Sequence, residues 1–284
     1  MENILEAKNL CKKYNQFELK NVNLTLPKGM IMGLIGENGA GKTTTIKSIL
    51  NLTNSTGEIN IFGLNVKKYD KKIKQNIGVV LNENFFSEYL NPKDINKIMK
   101  NIYKNWDEKL YFKYLEDFKL PQNKISKEFS SGMKMKLKIA VALAHHPKLL
   151  ILDEPTSGLD PVARSGILDI FQDFIQNGEN SIFVSSHITS DLEHIADYIT
   201  FINDGEIVLS KTRDELLEEY GIVKCSKAEF EKINKKDYVK YKVNRYEYDV
   251  LVENKSEFKR KYDFNVIDKP TLEDIMLIYI KGEK

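Results

Sequence analysis

Gly36-Glu37-Asn38-Gly39-Ala40-Gly41-Lys42-Thr43-Thr44 decides how this chain is read. It follows the apolar run Met30 to Ile35, which reads as a buried strand. It precedes Thr44 to Leu52, a predicted helix with Ile46, Ile49 and Leu50 on one face. The spacing G-x-x-x-x-G-K-T between a strand and a helix is that of a phosphate-cradling loop. Glycines let the backbone curl so that successive N–H groups point at phosphate oxygens, and the helix N-terminus adds a partial positive charge. Lys42 supplies a full charge for β- and γ-phosphates, and Thr43 a hydroxyl for a Mg2+ ion. A glycine-rich turn with a surface lysine would not require the whole pattern in this context.

Composition bounds what surrounds the loop. The 284 residues allow one large domain or two smaller ones, and 42% hydrophobic residues suffice for a sizeable core. A net charge of +2 gives no global drive toward nucleic acid. No apolar run approaches the roughly 18 residues of a membrane span, and Met1-Glu2-Asn3 lacks the basic start and apolar core of a signal peptide. Cys11 and Cys225 are the only cysteines, so no disulfide framework is implied. The expectation is a reduced, cytoplasmic protein whose membrane role, if it has one, runs through a partner.

Upstream of the loop, Asn9 to Tyr14 and Phe17 to Leu26 alternate as strands around an Asn15-Gln16 turn. Tyr14 can pack at a strand end or offer adenine a stacking face; the residues alone favour packing. Downstream, Gly57 to Phe62 and Ile77 to Leu81 read as strands, the second ending in Asn82 and Glu83. Glycine then disappears and helical spacing takes over. Ile95, Ile98, Met99 and Ile102 share one face, and Leu110, Tyr114, Leu115 and Phe118 another, with Trp106 expected inside a helical subdomain of about residues 83–145. Ser130-Ser131-Gly132-Met133 opens a helix running to His145, with Ser130 or Ser131 as its N-cap. Leu137, Ala140, Val141 and Ala144 form its buried face. His145 and His146 lie at its C-terminus, where cations are favoured.

Leu149 to Leu152 is uninterrupted, as in a parallel strand covered on both faces, and ends in Asp153-Glu154. Two acids there, in a chain with a phosphate loop, suggest metal and water chemistry. Asp160 caps a helix beginning at Pro161. Ser181 to Ser185 is a strand leading to His187; a lone histidine is usually structural, but this position is where parallel α/β sheets bind ligands. Tyr198 to Ile202, a turn at Asp204-Gly205 and Glu206 to Leu209 are the last pieces of this unit, and Thr212 to Tyr220 reads as a helix stopped by Gly221. A boundary there gives units 1–220 and 221–284. The second reads as short strands (Tyr238–Val243, Tyr248–Glu253, Asn265–Asp268) with helices between. Its closing helix, capped by Thr271 and Asp274, carries Leu272, Ile275, Met276 and Tyr279 on one face and Leu277, Ile278 and Ile280 off it. Such a helix should be covered on more than one side.

Taken in order, the stretches from about residue 4 to 220 resemble the nucleotide-binding subunit of an ABC transporter. The fold class expected is α/β: a P-loop NTPase with a mainly parallel core sheet, an N-terminal antiparallel β subdomain, an inserted α-helical subdomain and a small α+β C-terminal module. By similarity, Gly36 to Thr44 is the Walker A loop, with Gly36, Asn38, Gly39, Ala40, Gly41, Lys42, Thr43 and Thr44 toward ATP. Leu149 to Asp153 is the Walker B strand, Glu154 the catalytic glutamate, and Ser157 to Asp160 the D-loop. His187 matches the switch histidine and Tyr14 the adenine-stacking aromatic, which overrides the packing role. The family signature Leu-Ser-Gly-Gly-Gln reads here Phe129-Ser130-Ser131-Gly132-Met133, keeping the serine hydroxyl, the second glycine and the helix start. The usual glutamine falls on Asn82, whose amide sits on a stem one methylene shorter; Glu83 beside it is the alternative.

The resemblance implies a Mg2+-dependent ATPase. Lys42, Glu154 and His187 would be catalytic, and Thr43, Asp153 and Asn82 would serve the metal. Tyr14, Asn82, Ser130, Ser131, Gly132 and Asp160 would join the loop around ATP. One subunit then lacks a full site: Ser130 and Gly132 of a second copy, identical or not, would close over the γ-phosphate in a head-to-tail dimer. A separate membrane permease is the other implied partner, placing the chain on the inner face of the cell membrane, with no nucleic acid expected. Phe129 to Met133 and Pro270 to Asp274 resemble ATPase subunits of bacterial bacitracin, lantibiotic and drug exporters. Phe85, Phe86 and Tyr89 follow Asn82, where the family's coupling groove lies, and two or more of them are expected to touch a short permease helix. The alternative is a soluble ABC ATPase acting on ribosomes or DNA. A ribosomal member would carry two cassettes, and a DNA member long coiled coils. Here there is one phosphate loop and an insert without sustained heptads.

Overall fold

The computed structural model describes residues 2–83, 86–245, 247–262 and 266–284. Strands β1 (Asn3–Lys13) and β2 (Glu18–Pro27) pair antiparallel around the Asn15-Gln16 turn. β3 (Ile31–Ile35) then runs through the glycine loop into α1 (Lys42–Ile49). β4 (Thr56–Ile61) and the short β5 (Leu64–Asn65) return to β1, completing a four-stranded antiparallel sheet ordered β2-β1-β4-β5. α2 (Val66–Lys74) leads to β6 (Ile77–Val80). Sequence periodicity does not reveal α2, because only Val66 and Ile73 of it are buried; Asn65 starts it by capping the N–H groups of Lys67 and Lys68.

The helical insert holds α3 (Pro92–Ile102), α4 (Glu108–Asp117) and α5 (Ser131–Leu143), with a single tight turn at Ser126–Glu128. α3 is rolled away from its expected face: Ile95 and Met99 are buried, but Ile98 and Ile102 are exposed. Asn96 is buried in their place, accepting from Trp106 Nε1 at 2.8 Å and donating to Glu108 at 2.7 Å. A buried indole N–H needs a partner, and Asn96 is the residue that supplies it.

From α5 the chain enters β7 (Leu149–Asp153), α6 (Pro161–Ile175), β8 (Ser181–Ser186), α7 (Thr189–Ile195), β9 (Tyr198–Asn203) and β10 (Glu206–Thr212). The second sheet is ordered β10-β9-β3-β8-β7-β6, all parallel except β10. Its central strands are buried on both faces, and the period of two divides them between two cores. Leu150 and Leu152 of β7 face the side of α5, α6 and α7, while Leu149 and Ile151 face the antiparallel sheet and α1.

β10 runs on to Thr212, three residues past the expected end. Thr212 to Tyr220, expected as a helix, forms only one wide turn at Glu215–Glu219 that buries Leu216. Gly221, expected only as a helix stop and boundary, opens a strand, β11 (Gly221–Cys225). With α8 (Lys227–Phe230), β12 (Lys240–Val243), β13 (Tyr248–Val252), α9 (Lys255–Lys261) and β14 (Ile267–Asp268) it builds a third, antiparallel sheet ordered β12-β13-β11-β14. Asn265, expected to open β14, lies outside the described residues. α10 (Leu272–Lys281) closes the chain. Among the described residues no helix is long and apolar enough to cross a membrane.

Candidate active site

The site lies at the C-terminal ends of the parallel strands, where helix and loop starts converge. The loop after β3, Asn82 after β6, Glu154 after β7 and His187 after β8 surround one cleft of about 870 Å3, large enough for a nucleotide-sized ligand. Gly41 is the N-cap of α1 at φ 115°, and a side chain there would also meet the Phe17 ring at 2.9 Å. Only glycine fits both demands.

Asn38, Gly39, Gly41, Lys42, Thr43 and Thr44 line the cleft as expected. Gly36 and Ala40 do not. Gly36 lets the loop pass beneath the Ile202 carbonyl, 2.4 Å from where a Cβ would stand, and Ala40 is buried with its carbonyl accepting from Gly205 N at 3.0 Å. Both shape the loop from behind. Lys42 Nζ donates to Gly36 O at 2.7 Å and Glu37 O at 3.3 Å, so the loop holds its own cation.

Glu154 adopts a left-handed backbone, φ 53°, which costs a residue with a Cβ on the order of 1–3 kcal/mol. The turn points its carboxylate into the cleft. Oε2 accepts from the His187 backbone N–H at 3.2 Å and pairs with His187 Nδ1 at 2.5 Å. Oε1 forms an ion pair with Lys42 Nζ at 3.3 Å and so faces the phosphate loop.

Asp153 stands behind this layer, 1% exposed. Its Oδ2 accepts from Thr43 Oγ1 at 2.8 Å and its Oδ1 from Ser185 Oγ at 2.6 Å. Because Thr43 gives its proton to Asp153, the lone pairs of its oxygen are left for the cleft. A hydroxyl oxygen beside a carboxylate is a hard-oxygen pair suited to Mg2+, which binds few protein ligands and takes the rest from water and phosphate.

Asn82 reaches the cleft, while the Glu83 carboxylate turns away to Lys47 at 2.6 Å. That contact holds the Lys47 amine above its ordinary pKa. Tyr14 stands at the rim, half exposed, with the Lys12 ammonium 4.8 Å from its ring centre.

Ser130, Ser131, Gly132 and Asp160 are not brought to this cleft. Ser130 caps α5, accepting from Met133 N at 3.2 Å, and Ser131 and Gly132 follow in its first turn. Asp160 caps α6 through the N–H groups of Val162 and Ala163 at 3.1 and 3.0 Å. Gln16 and Phe17 line the cleft without having been foreseen, and so do Glu37 and Ser157, which the resemblance put in the Walker A loop and the D-loop but not against ATP. Ser185 was not foreseen either; it donates to Asp153 and accepts from Glu154 N at 3.2 Å, holding both acids. The only available signal for it was that β8 ends in two serines. Thr156, two residues past Glu154, donates to the buried Asp191 at 2.6 Å, and Arg164 pairs with the same carboxylate.

Residues 19–157 match the model of the ABC transporter family. The chain is 38% identical over 224 residues to the bacitracin transport ATP-binding protein BcrA of Enterococcus faecalis, covering 76% of this chain and 71% of that one. It is 38% identical over 221 residues to the lantibiotic transport ATP-binding protein SrtF of Streptococcus pyogenes, covering 76% and 95%. A solved ATP-binding subunit of an ABC transporter aligns with a TM-score of 0.69 at 28% identity, over 75% of this chain and 91% of that one. A dimeric ATP-binding cassette, MJ0796, solved with ADP and Pi, shares the fold with a TM-score of 0.66 at 22% identity, over 74% and 98%. A phosphate loop facing a buried acid and a histidine, on this sheet order and with these relatives, places the chain among the ATP-binding subunits of ABC transporters, which are ATPases.

Proposed function

We propose that this chain hydrolyses Mg2+-bound ATP to drive export of a peptide, antibiotic or drug through a separate membrane permease, working as a head-to-tail dimer on the inner face of the membrane. The observation that carries the chemical part is the Glu154 carboxylate in the cleft, its Oε1 3.3 Å from Lys42 Nζ and its Oε2 held by His187. A water between Glu154 and the phosphate loop would donate to Oε1, which orients it and takes its proton. His187 holds the other oxygen, so the carboxylate cannot swing away. Lys42 and the loop amides would neutralise the phosphates. Thr43, backed by Asp153, would hold Mg2+ with Asn82 nearby; the ion supplies charge neutralisation and orientation of the β- and γ-phosphates. Tyr14 and Phe17 offer adenine a face.

The exposed start of α5 supports the dimer. Ser130, Ser131 and Gly132 sit at a helix N-terminus suited to an anion, yet away from their own cleft. The export reading follows the named relatives, which transport bacitracin or a lantibiotic. We take residues 83–145 as the helical subdomain and 221–284 as an accessory module.

Glu154→Gln tests the site. The amide cannot accept the proton, so turnover should fall at least about 100-fold while ATP affinity stays within a few-fold and an ATP-bound dimer accumulates. Hydrolysis near the wild-type rate would remove Glu154 from the chemistry. Co-purification of the tagged chain with a polytopic membrane protein tests the partner.

A further inference from the structure

Lys138 lies in the middle of α5, only 8% exposed, with apolar Leu137 and Ile139 on either side. Among the described residues no carboxylate pairs with it. Burying an ammonium without a counter-charge is costly, and only full use of its three N–H groups offsets the loss of water. Lys138 uses all three on consecutive carbonyls: Leu81 at 3.1 Å, Asn82 at 3.3 Å and Glu83 at 2.9 Å. Burial pushes its pKa below the ordinary lysine value. A methionine would fill the same space without that penalty, so packing alone does not explain the residue.

The three carbonyls belong to the segment that leaves β6 for the helical insert. That segment carries Asn82 to the cleft, beside Thr43 and Glu154. A second hold on it, Lys47 to the Glu83 carboxylate at 2.6 Å, comes from α1 but is largely exposed, where ion pairs contribute little. The buried hold is Lys138. It sits two turns, about 12 Å, along the same rigid helix that begins at Ser130.

We infer that Lys138 is a positioning residue for ATP hydrolysis: its ammonium fixes the backbone of Leu81 to Glu83, aims the Asn82 amide into the cleft, and makes Asn82 and the start of α5 move as one body. This rests on the reading that Asn82 faces the reacting phosphates. ATP binding through Lys42 and the glycine loop does not need the tether, so its loss falls on turnover.

The test uses the full chain with Mg2+ and ATP, measuring kcat, KM, ATP affinity and Tm. Lys138→Met should keep Tm and hold ATP affinity within about threefold, while kcat falls about tenfold; Lys138→Arg should recover part of it. Adding Asn82→Ala to Lys138→Met should cost less than about twofold more, because both act through one group. Should Lys138→Met fail to fold, Lys138→Gln, which keeps a donor without the charge, carries the same comparison. A normal kcat for Lys138→Met beside a defective Asn82→Ala overturns the inference alone, as does full multiplication of the two effects. A wild-type rate for Asn82→Ala overturns the reading beneath it, and the inference with it.

Discussion

His145 stands where a helix dipole favours a cation, and burial nonetheless disfavours its charged form. It is buried, its Nε2–H donates to the Ile77 carbonyl at 3.0 Å, and its ring stacks on Tyr103 with centroids 3.9 Å apart. Nδ1 is buried without a partner. Burial lowers the pKa from its ordinary value of 6.5, so the unfolded chain takes up the proton first. The contribution is complete above that ordinary value and is lost as pH falls toward the lower folded pKa. His146, one residue on, is exposed and paired with Asp107 at 3.2 Å, so the dipole role suits it alone. From about pH 7 to about pH 5 the wild-type Tm should fall more steeply than that of His145→Gln, which has no proton to gain. At neutral pH that variant should be weaker by about 1 kcal/mol through the lost stacking. Parallel Tm-versus-pH curves would show that His145 does not report acid.

At the scale of the element, α10 joins the closing residues to the ATPase core. Thr271 and Asp274 form its capping box, and Leu272 N donates to Glu193 Oε1 of α7 at 2.7 Å. Leu272, Ile275 and Ile278 are buried in the same core as Leu192 and Ile195, while Met276 and Tyr279 pack at its edge. The buried row therefore differs from the expected one, with Ile278 in and Met276 and Tyr279 half out. The helix lies between α7 and β12, and a helix held from two sides buries a wider arc than one stripe. Three fully buried aliphatic side chains are worth on the order of 5 kcal/mol. Truncation after Lys269 should lower Tm by about 10 °C or more, or leave the chain insoluble. A truncated chain that melts with the wild type and stays soluble would make α10 dispensable.

For the whole molecule, the proposed permease would meet the cleft through the segment that follows Asn82. Of the three aromatics expected at that contact, Phe85 lies outside the described residues. Phe86 packs against the core of the helical insert, and Tyr89 is 71% exposed, with the Lys127 ammonium 5.6 Å from its ring centre. The two visible ones therefore separate. Tyr89→Glu should leave Tm and the ATPase rate of the isolated chain within about twofold while reducing transport by the assembled complex about tenfold, because exposed aromatics of this kind anchor interfaces. Phe86→Glu should instead lower Tm, since it places a charge against apolar side chains. Normal transport by Tyr89→Glu would move the contact elsewhere.

Lys42, Thr43, Glu154 and His187 were legible because each sits at a strand end or loop whose own residues announce it: glycine spacing, an apolar run, then polar atoms. The same local signals mark the parallel strands, whose burial follows from continuous apolar composition. Other features depend on which chain segments meet. Ser185 acquires its role only because β7 and β8 pair with Asp153 opposite it, and Phe17 only because β2 starts beneath Gly41. Lys138 looks like any helix lysine until the end of β6 is laid against it. Sequence periodicity reports the face an element prefers; it carries no information on which buried polar group will need a partner from a segment far along the chain. That need rolled α3 about Asn96 and drew Lys138 inward, and only the tertiary contacts could satisfy it.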